Sequence, residues 1–365
     1  MAGKLKVAVY GVGFVGLQHI RALRQLPDVE LVALAVTTEA KAKRLSEELG
    51  IPSYYTSLED LISYHPDLDV IHNCSPTGIH FESTRKILEA GIHVYCEKPL
   101  TMTSQQSAEL VTLLDKQQLI GGVNFNYRHN LMVMEMRERV KAGDIGSVWF
   151  IEATYLQDWL LYETDYDWRC NPDLGGKTRA ISDIGSHCFD TLQYILDSRI
   201  ISVESRSLQK HQTRYKGEDA HQVANEDAAI IMAEFENGVN SLIRVSQVTA
   251  GKKNDFKVLV EGSKRSLEWQ QEQPDRLWIG HRDEANQEIY ADGRYLSSNV
   301  APYAKLPNGH AVGWADAFNL GIQEFYAALN GNEKANYVSF QEGHEIMCII
   351  DACVRSQESQ TKIKL

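Results

Sequence analysis

Two groups of residues have the types and spacing that proton transfer at a substrate requires. The first is Glu97, Lys98 and Pro99, which directly follow the short apolar run HVYC. Burying a lysine charge costs free energy and proline cannot donate to a sheet ladder, so we expect Lys98 to face a ligand at the end of a strand. Pro99 would fix the backbone and Glu97 could orient the ammonium, which suits alkoxide stabilisation or proton transfer. The alternative is a surface lysine that follows a strand by chance.

The second group lies in the segment ISDIGSHCFDTLQYIL, residues 181–196, whose apolar spacing predicts a helix. In a helix, Asp183, His187 and Asp190 share one face. A carboxylate beside an imidazole fixes the tautomer of the ring and strengthens it as a base. A structural His–Asp contact and a metal site are the competing interpretations. We disfavour a metal because the chain offers no compact ligand set such as HExxH, and a serine nucleophile because it has no GxSxG turn.

The segment VYGVGFVG places Gly11, Gly13 and Gly16 in GxGxxG spacing between the first predicted strand and the first predicted helix. In this context the first glycine permits a tight turn, the second lets backbone approach a pyrophosphate, and the third lets helix and strand pack closely. The helix N-terminus adds unpaired N–H groups and a favourable dipole. The turn therefore predicts dinucleotide binding, with Phe14 and Val15 as further contacts, rather than an ordinary glycine-rich loop.

The end of the second predicted strand bears on the choice of dinucleotide. An acidic residue that binds the adenosine ribose is usual here in NAD-binding proteins, but this chain has Thr37 and Thr38. Both threonines could donate to a 2′-phosphate. Positive charge nearby comes from Lys41, Lys43 and Arg44. These residues favour NADP over NAD as the cofactor, although the basic residues also suit a solvated helix face.

An alternation of strands and helices positions these groups in the N-terminal part of the chain. Predicted strands lie at 6–11, 30–36, 69–74, 93–96 and 121–125. Predicted helices lie near 15–25, 40–48, 79–90 and 104–117. The alternation predicts an α/β fold whose first domain, residues 1–124, is a Rossmann-type doubly wound parallel sheet. Ligands bind beyond the carboxyl ends of such strands, where the loop 73–80 and Lys98 fall.

The pattern changes after residue 124. Following a helix that begins near residue 131, long alternating strands are predicted at 148–157, 227–248 and 255–270, with hairpin turns at Asn237-Gly238 and Gly262-Ser263. Two late helices are predicted at about 314–330 and 339–358. Residues 125–365 are therefore predicted to form a second α/β domain with a large, mostly antiparallel, open sheet. An open sheet needs a cover for its second face, which predicts a homodimer or homotetramer.

Bulk properties exclude several classes of partner. A length of 365 residues predicts two domains, and a net charge of −12 argues against a nucleic-acid or anionic-membrane surface. No apolar run reaches the roughly 18 residues of a membrane span. The apolar N-terminus has no small-residue cleavage site and suits a first strand better than a signal peptide. The six cysteines show no CxxC pairing, which favours reduced thiols and a cytoplasmic location.

The motifs VYGVGFVG, CEKPLT and SDIGSHCFD together resemble the glucose-fructose oxidoreductase/inositol dehydrogenase/MocA family of NAD(P)-dependent oxidoreductases. The resemblance covers essentially the whole chain. The longer segments NFNYRHN, TYLQDWLLYETDYDWR and GGKTRAISDIGSHCFD look like a sugar- or cyclitol-dehydrogenase branch of that family. The resemblance implies a polyol or sugar substrate, a cis Lys98–Pro99 peptide bond, and catalysis by Lys98, Asp183 and His187.

The resemblance also implies a role for each catalytic residue. The substrate hydroxyl would sit between His187 and Lys98, and His187 would take its proton as the general base. Asp183 would orient the substrate or the imidazole. Lys98 would stabilise the developing alkoxide and relay the proton, while hydride passes to the nicotinamide.

Further site residues are carried over from the resemblance. Along the cofactor these are Ser75, Pro76, Thr77, His80, Glu97 and Lys98, with Trp168 and Arg169 near its nicotinamide half. The sugar pocket would contain Asn126, Arg128, Tyr155, Gln157 and Asp158 together with the catalytic residues. One departure is the segment GGKTRAIS before Asp183, whose Lys177 and Arg179 are expected to reshape the pocket entrance.

Two other functions fit the same motifs. A sensor or regulator could bind the dinucleotide without turnover. A glycoside hydrolase that uses NAD could return the hydride to its product.

Overall fold

The computed structural model describes residues 3–307 and 309–365. Two compact units are present: one contains the residues up to Asn124 together with Phe318–Met347, and the other contains Phe125–Ala317 and Cys348–Leu365. The sequence expectation assigned all of 125–365 to the second domain. The two divisions differ for residues 318–347, which belong to the first unit. One contact of this segment within that unit joins the Tyr326 hydroxyl to His72 Nε2, at 3.0 Å.

The first unit is built on a parallel sheet with the strand order β3-β2-β1-β4-β5-β6. Its strands are β1 (Leu5–Tyr10), β2 (Val29–Ala35), β3 (Ser53–Tyr55), β4 (Val70–Asn73), β5 (His93–Cys96) and β6 (Gly121–Val123). The helices between them are α1 (Phe14–Leu23), α2 (Glu39–Leu49), α3 (Leu58–Tyr64), α4 (Thr77–Glu89) and α5 (Ser104–Gln117). All residues of β4 are buried, so both of its faces are covered. The predicted doubly wound sheet is confirmed.

The second unit contains a sheet with the order β16-β15-β14-β13-β7-β12-β11-β8-β17 and a separate β9-β10 hairpin. Its helices and strands are, in chain order, α6 (Leu131–Lys141), β7 (Val148–Leu156), α7 (Pro172–Gly175), α8 (Ser186–Leu196), β8 (Ile200–Leu208), β9 (Thr213–Lys216), β10 (Asp219–Gln222), β11 (Ala228–Phe235), β12 (Asn240–Ser246), β13 (Asp255–Gly262), β14 (Ser266–Gln270), β15 (Arg276–Gly280), β16 (Gln287–Tyr290), α9 (Trp314–Leu329), α10 (Phe340–Ser359) and β17 (Ile363–Lys364).

Pairing in the large sheet is antiparallel except between β7 and β12. The mostly antiparallel sheet is therefore confirmed. The predicted turn at Asn237-Gly238 joins β11 to β12, and Gly238 has φ +84°, a conformation that favours glycine. The turn at Gly262-Ser263 joins β13 to β14.

One face of this sheet is buried and the other carries exposed side chains. In β11, Ile231 is buried, whereas its neighbours Ile230 and Met232 are 52% and 61% exposed. The pairing register carries the row of Met232 across β12, β7, β13 and β14 to Trp278 in β15, which is 36% exposed. The exposed face is therefore partly apolar.

The helix predicted over 181–196 has two parts. A π-helical turn, Ile181–Gly185, precedes α8. A π turn spaces hydrogen bonds by five residues instead of four. The prediction that Asp183 shares a face with His187 assumed an unbroken α-helix, so that spacing argument does not apply across this turn.

A buried ionic cluster holds the chain just before the π-helical turn. The guanidinium of Arg179 donates to Asp227, and Arg214 Nη2 donates to the same carboxylate at 2.6 Å. Glu226 Oε1 accepts the backbone N–H groups of Arg179 and Ile181 at 3.0 and 2.8 Å. The expectation that Arg179 shapes the pocket entrance is wrong: its side chain is fully buried in this cluster.

Glu226 gives the stability of the protein a pH dependence. Burial raises the pKa of this carboxyl from about 4.5 to about 7. The folded state therefore holds a proton that the unfolded state has lost between these pH values, and stability falls as pH rises through this window, by at most about 3 kcal/mol. We predict that Glu226→Gln, whose carbonyl accepts the same N–H groups, removes this part of the decline in denaturant unfolding measured at pH 5 and pH 8.

The matched control is Glu333→Gln, which changes an exposed carboxylate in the first unit. It should leave the pH dependence as in the wild type. An equal decline in stability for Glu226→Gln and wild type would contradict the assignment.

Candidate functional site

The glycine turn after β1 packs closely against the loop after β4. Gly11 has φ +88°, and a Cβ there would lie 2.6 Å from the carbonyl oxygen of Cys74. A Cβ at Gly16 would lie 2.2 Å from the Gly11 oxygen. Around Gly13, in contrast, no described atom beyond its neighbours in the chain lies within 4 Å of such a Cβ. The turn is therefore closed towards the protein and open above Gly13.

The start of α1 suits an anion. Gly13 is the N-cap and supplies no side-chain cap, and the first turn contains no acidic residue. Its N–H groups and helix dipole are therefore directed at the open space above Gly13. Phe14 is 72% exposed and Val15 is half-buried beside it. The glycine turn thus fits the pyrophosphate of a dinucleotide.

The candidate ribose-binding residues lie at the surface. Thr37 and Thr38 are exposed, and Thr38 is the N-cap of α2 without a side-chain cap bond. Arg44 pairs with Glu48 one turn later on the same helix, at 3.0 Å. Lys41 and Lys43 are exposed.

The loops after β4 and β5 are joined by His80. Its Nε2 lies 2.7 Å from the Ser75 carbonyl oxygen, and its Nδ1 lies 3.0 Å from that of Pro99. A neutral imidazole can donate to only one of these carbonyls. Burial lowers the pKa of His80, which disfavours the doubly protonated ring. Ser75 and Thr77 are buried and Pro76 is exposed.

Glu97 is buried directly before Lys98. Its Oε1 accepts hydrogen bonds from His19 Nε2 at 3.0 Å and from Asn124 Nδ2 at 2.5 Å. Its Oε2 accepts the backbone N–H of Lys98 at 3.3 Å. Lys98 is half-buried, and the Lys98–Pro99 peptide bond is cis, as the resemblance implied. His19 and Asn124 were not found from the sequence, because no motif marks them.

His187, in the second unit, is buried among aromatic rings. The ring centroids of Tyr127, Phe125 and Tyr155 lie 4.9, 5.6 and 6.2 Å from that of His187. Such faces suit the C–H surfaces of a sugar.

A closed set of hydrogen bonds lies beside this imidazole. The hydroxyls of Tyr127 and Tyr155 are 2.8 Å apart, Tyr155 donates to Asn254 Oδ1 at 2.6 Å, and Asn254 Nδ2 donates to Tyr127 at 3.0 Å. Burial raises the pKa of Tyr127 to about 12 and that of Tyr155 well above its usual value. Both phenols therefore stay protonated at neutral pH. Asn254 is a site residue that the sequence did not reveal.

The polar residues after β7 have defined partners. Gln157 donates to Asn254 Oδ1 at 3.3 Å and accepts from Trp159 Nε1 at 2.8 Å. Asp158 instead accepts from Lys253 at 2.7 Å. The hydrogen bond from Lys253 holds the pKa of Asp158 below its usual value. Gln157 thus belongs to the hydrogen-bond network of Tyr127, Tyr155 and Asn254, whereas Asp158 forms an ion pair with Lys253.

Both oxygens of Asp183 accept hydrogen bonds. Arg169 Nε donates to Oδ1 at 3.2 Å, and Gln247 Nε2 donates to Oδ2 at 2.8 Å. The guanidinium of Arg169 also lies over the ring of Trp168, at 4.4 Å, and bonds Asp167 at 3.0 Å. The two residues predicted at the nicotinamide half of the cofactor are therefore connected to the predicted catalytic carboxylate.

Asp190 is paired with an arginine from the segment before α6. Its carboxylate forms a two-point salt bridge with Arg128, whose Nε donates at 3.1 Å. Arg128 also lies over the ring of Tyr194 at 5.1 Å. The neighbouring Asn126 is buried, and its Nδ2 has no hydrogen-bond partner among the described residues, which leaves a donor for a ligand or a water.

The predicted catalytic residues come from both units: Lys98 lies in the first, and Asp183 and His187 lie in the second. In the described ranges 3–307 and 309–365, no group of three or more His, Cys, Asp or Glu side chains is placed to hold a metal ion. Over the same ranges, no helix is both long and apolar enough to cross a membrane.

Two family models match the chain. The GFO/IDH/MocA oxidoreductase family, with an NAD-binding Rossmann fold, matches residues 5–125, and the GFO/IDH/MocA C-terminal domain matches residues 133–268. D-glucoside 3-dehydrogenase of Escherichia coli (strain K12) is 32% identical over 247 residues, which cover 64% of this chain and 68% of the relative.

Two further comparisons extend over nearly the full length. Levoglucosan dehydrogenase of Pseudarthrobacter phenanthrenivorans is 24% identical over 383 residues, covering 98% of this chain and 97% of the relative. The crystal structure of an inositol dehydrogenase homolog from Azotobacter vinelandii, complexed with NAD+, has a TM-score of 0.91 at 23% identity, covering 100% of this chain and 98% of that one. The structural likeness shows a shared fold.

The open space above Gly13 yields a prediction. Gly13→Ala should leave the fold intact, because φ at this position is −97° and the added methyl meets no described atom within 4 Å. We expect the unfolding free energy to change by at most about 1 kcal/mol, while the dissociation constant for the dinucleotide, measured by calorimetry, rises at least about tenfold. Gly293→Ala is the control, because its Cβ would make only ordinary contacts. Unchanged dinucleotide affinity in Gly13→Ala would contradict the placement.

Proposed function

The chain belongs to the GFO/IDH/MocA oxidoreductase family, and we propose that it is a dehydrogenase or reductase of a sugar, sugar derivative or inositol. The observation that carries this proposal is the environment of His187. A buried imidazole among aromatic rings, with neutral phenol, amide and carboxylate groups nearby, suits a ligand that presents both C–H faces and hydroxyl groups.

In the proposed oxidation, His187 accepts the proton of a substrate hydroxyl. Lys98 stabilises the negative charge that develops on that oxygen, and Asp183 holds the orientation of the substrate or the imidazole. A bound NAD(P) would supply the hydride acceptor for the carbon that carries this hydroxyl, and oxidation would turn that carbon into a carbonyl. The reverse reaction uses the same groups with His187 as the acid. The hydrogen bonds that Arg169 and Gln247 donate to Asp183 support a carboxylate held in one orientation.

The proposed cofactor is NAD(P), with NADP preferred. The glycine turn and the start of α1 would hold the pyrophosphate. Thr37 and Thr38 are exposed after β2, where a 2′-phosphate would lie, and Lys41 and Lys43 add positive charge. For the substrate, Asn126 Nδ2 and the network of Tyr155 and Gln157 supply donors and acceptors for hydroxyl groups.

The direct experiment is cofactor reduction, with NAD and NADP tested separately against a library of sugars, glycosides and cyclitols. We expect reduction with at least one polyol and a lower KM for NADP. Tight dinucleotide binding without reduction would favour a sensor. Release of aglycone from a glycoside without net NADH would favour a hydrolase. A lower KM for NAD would contradict the cofactor preference.

Variants then test the roles of the catalytic residues. Lys98→Met and His187→Asn should each lower kcat by at least about a hundredfold, because each removes a charge or proton acceptor needed in the transition state. The affinity for the dinucleotide should change much less. Lys116→Met and His310→Asn alter exposed residues and serve as controls. Full activity in Lys98→Met, or loss of binding alone, would refute its role.

We further propose a homodimer or homotetramer in the cytoplasm. Ile230, Met232 and Trp278 are exposed on the open face of the large sheet, and burying such apolar area stabilises association. Sedimentation velocity should then give a mass two or four times 41.2 kDa, with Met232→Glu shifting it down. A mass of one copy for the wild type would contradict this assembly.

A further inference from the structure

A buried chain of hydrogen bonds in the first unit ends on Glu97. The Tyr326 hydroxyl lies 3.0 Å from His72 Nε2, His72 Nδ1 lies 2.7 Å from His19 Nδ1, and His19 Nε2 lies 3.0 Å from Glu97 Oε1. Both imidazoles are fully buried. We refer to these residues as the Tyr326–Glu97 chain. They come from α9, β4, α1 and the end of β5, so nothing in the local sequence joins them.

The partners fix the direction of every proton in this chain when both histidines are neutral. Glu97 is an acceptor when ionised, so His19 must carry its proton on Nε2. His19 Nδ1 is then an acceptor, so His72 must carry its proton on Nδ1. His72 Nε2 in turn accepts from the Tyr326 hydroxyl. This single assignment satisfies all three contacts.

Adding one proton reverses the chain. If the proton resides on His19, both nitrogens of that ring donate, and His72 must accept on Nδ1 and donate from Nε2 to Tyr326. If it resides on Glu97, the carboxyl donates to His19 Nε2, and the two rings reverse in the same way. With both rings neutral, the Nδ1–H form of His72 therefore goes with an ionised Glu97, and a protonated Glu97 that donates to His19 goes with the Nε2–H form.

We propose that His19 and His72 are positioning residues for the reaction: through the Tyr326–Glu97 chain they keep Glu97 ionised and fixed against the backbone of Lys98. The inference rests on the proposed function, in which Lys98 acts on the substrate. Glu97 reaches Lys98 through the backbone N–H at 3.3 Å, so a protonated or displaced Glu97 would loosen the residue that must be held in place.

The surroundings of Glu97 favour its ionised form. Burial raises the pKa of Glu97, but the hydrogen bond and charge of His19, the hydrogen bond from Asn124 and the charge of Lys98 more than offset it, and the pKa lies below its usual value. Burial lowers the pKa of His72 well below its usual range, and its neighbour His19 lowers it further.

Among the described residues, several other titratable groups have an electrostatic interaction with a member of the chain. They are Asp69 and Tyr95 near Tyr326, and Cys74, Cys96 and His80 near Glu97. Burial raises the pKa of both cysteines and lowers that of His80. These three groups are therefore neutral at neutral pH, which leaves Glu97 and Lys98 as the charged pair at one end of the chain and Asp69 near Tyr326 at the other.

The first test is the pH profile of kcat/KM. In His19→Leu, Glu97 loses a donor and burial dominates, so its pKa rises. Protonation of His187, the proposed base, also contributes to the acid limb of this profile, so the effect of Glu97 is an added ionisation. We expect the acid limb of His19→Leu to become steeper and its midpoint to rise by at least about one pH unit, which is about a tenfold loss at a pH on that limb. His19→Gln can still donate to Glu97 and should restore most of the wild-type profile. Tyr326→Phe keeps the ring and should shift the limb in the same direction by less.

The matched control is His93→Asn. His93 is half-buried at the start of β5, in the same unit, and accepts the backbone N–H of Ile120 at 2.9 Å, a bond that asparagine can keep. Its profile should equal that of the wild type. An unshifted acid limb in both His19→Leu and Tyr326→Phe, with activity otherwise retained, would overturn the inference.

A second test needs no turnover. Long-range ¹H–¹⁵N spectra of protein labelled on histidine, assigned with the His19→Gln and His72→Asn variants, report which ring nitrogen is protonated. We expect Nδ1–H for His72 and Nε2–H for His19 at pH 8. The Nε2–H tautomer of His72 together with a singly protonated His19 at that pH would place a proton on Glu97 and would refute the proposal, whereas the same tautomer with a doubly protonated His19 would leave Glu97 ionised, as proposed. If no polyol is oxidised by the wild type, the proposed function fails, whereas the tautomers still decide the state of Glu97.

Discussion

Glu97 is a carboxylate buried at the carboxyl end of β5, and a buried charge is tolerated only when donors surround it. Its donors come from distant parts of the chain: His19 from α1, Asn124 from the end of β6, and the backbone of Lys98. Because α1 begins at the glycine turn, the same contacts connect the helix that would bind the pyrophosphate to the loop that carries Lys98. His80 adds a second connection by bridging the carbonyls of Ser75 and Pro99.

The second unit also contains a carboxylate that is held by hydrogen bonds from other side chains. Asp183 lies in a π-helical turn and receives hydrogen bonds from Arg169 and Gln247. The backbone just before and within that turn is bonded to Glu226. The carboxylate that we propose as catalytic is thus supported by a second, buried polar cluster, which is the arrangement expected where a site must hold its geometry without a ligand.

The sequence predicted those parts of the fold that depend on local pattern. The strands of the parallel sheet are continuous apolar runs, and Asn237-Gly238 is a turn signal that works through backbone conformation alone. The short β3 and α3 were not predicted, because three to seven residues, Ser53–Tyr55 and Leu58–Tyr64, give too little periodicity. The helix α9 was predicted, but not that Tyr326 on it contacts His72, 254 positions away.

The candidate site residues also divide into those that a local sequence pattern marks and those that depend on contacts between distant positions. GxGxxG, Lys98 and the His187 helix could be proposed from the sequence because each is a short motif. Arg179 was misplaced because its partner Asp227 lies 48 positions further along, and Asn254 and Gln247 were missed because their partners are equally remote in sequence. Whether a charged side chain faces a ligand or the protein interior depends on its burial and on its hydrogen-bond and ion-pair partners, rather than on residue type alone.

A crystal structure of the protein with its dinucleotide and a polyol that it oxidises tests the central claim most directly. The account predicts that Lys98 Nζ and His187 Nε2 both lie within about 3.2 Å of one substrate hydroxyl oxygen, with the carbon of that hydroxyl about 3.5 Å from the nicotinamide C4. A bound polyol whose reacting hydroxyl contacts neither residue, or only one of them, would contradict it.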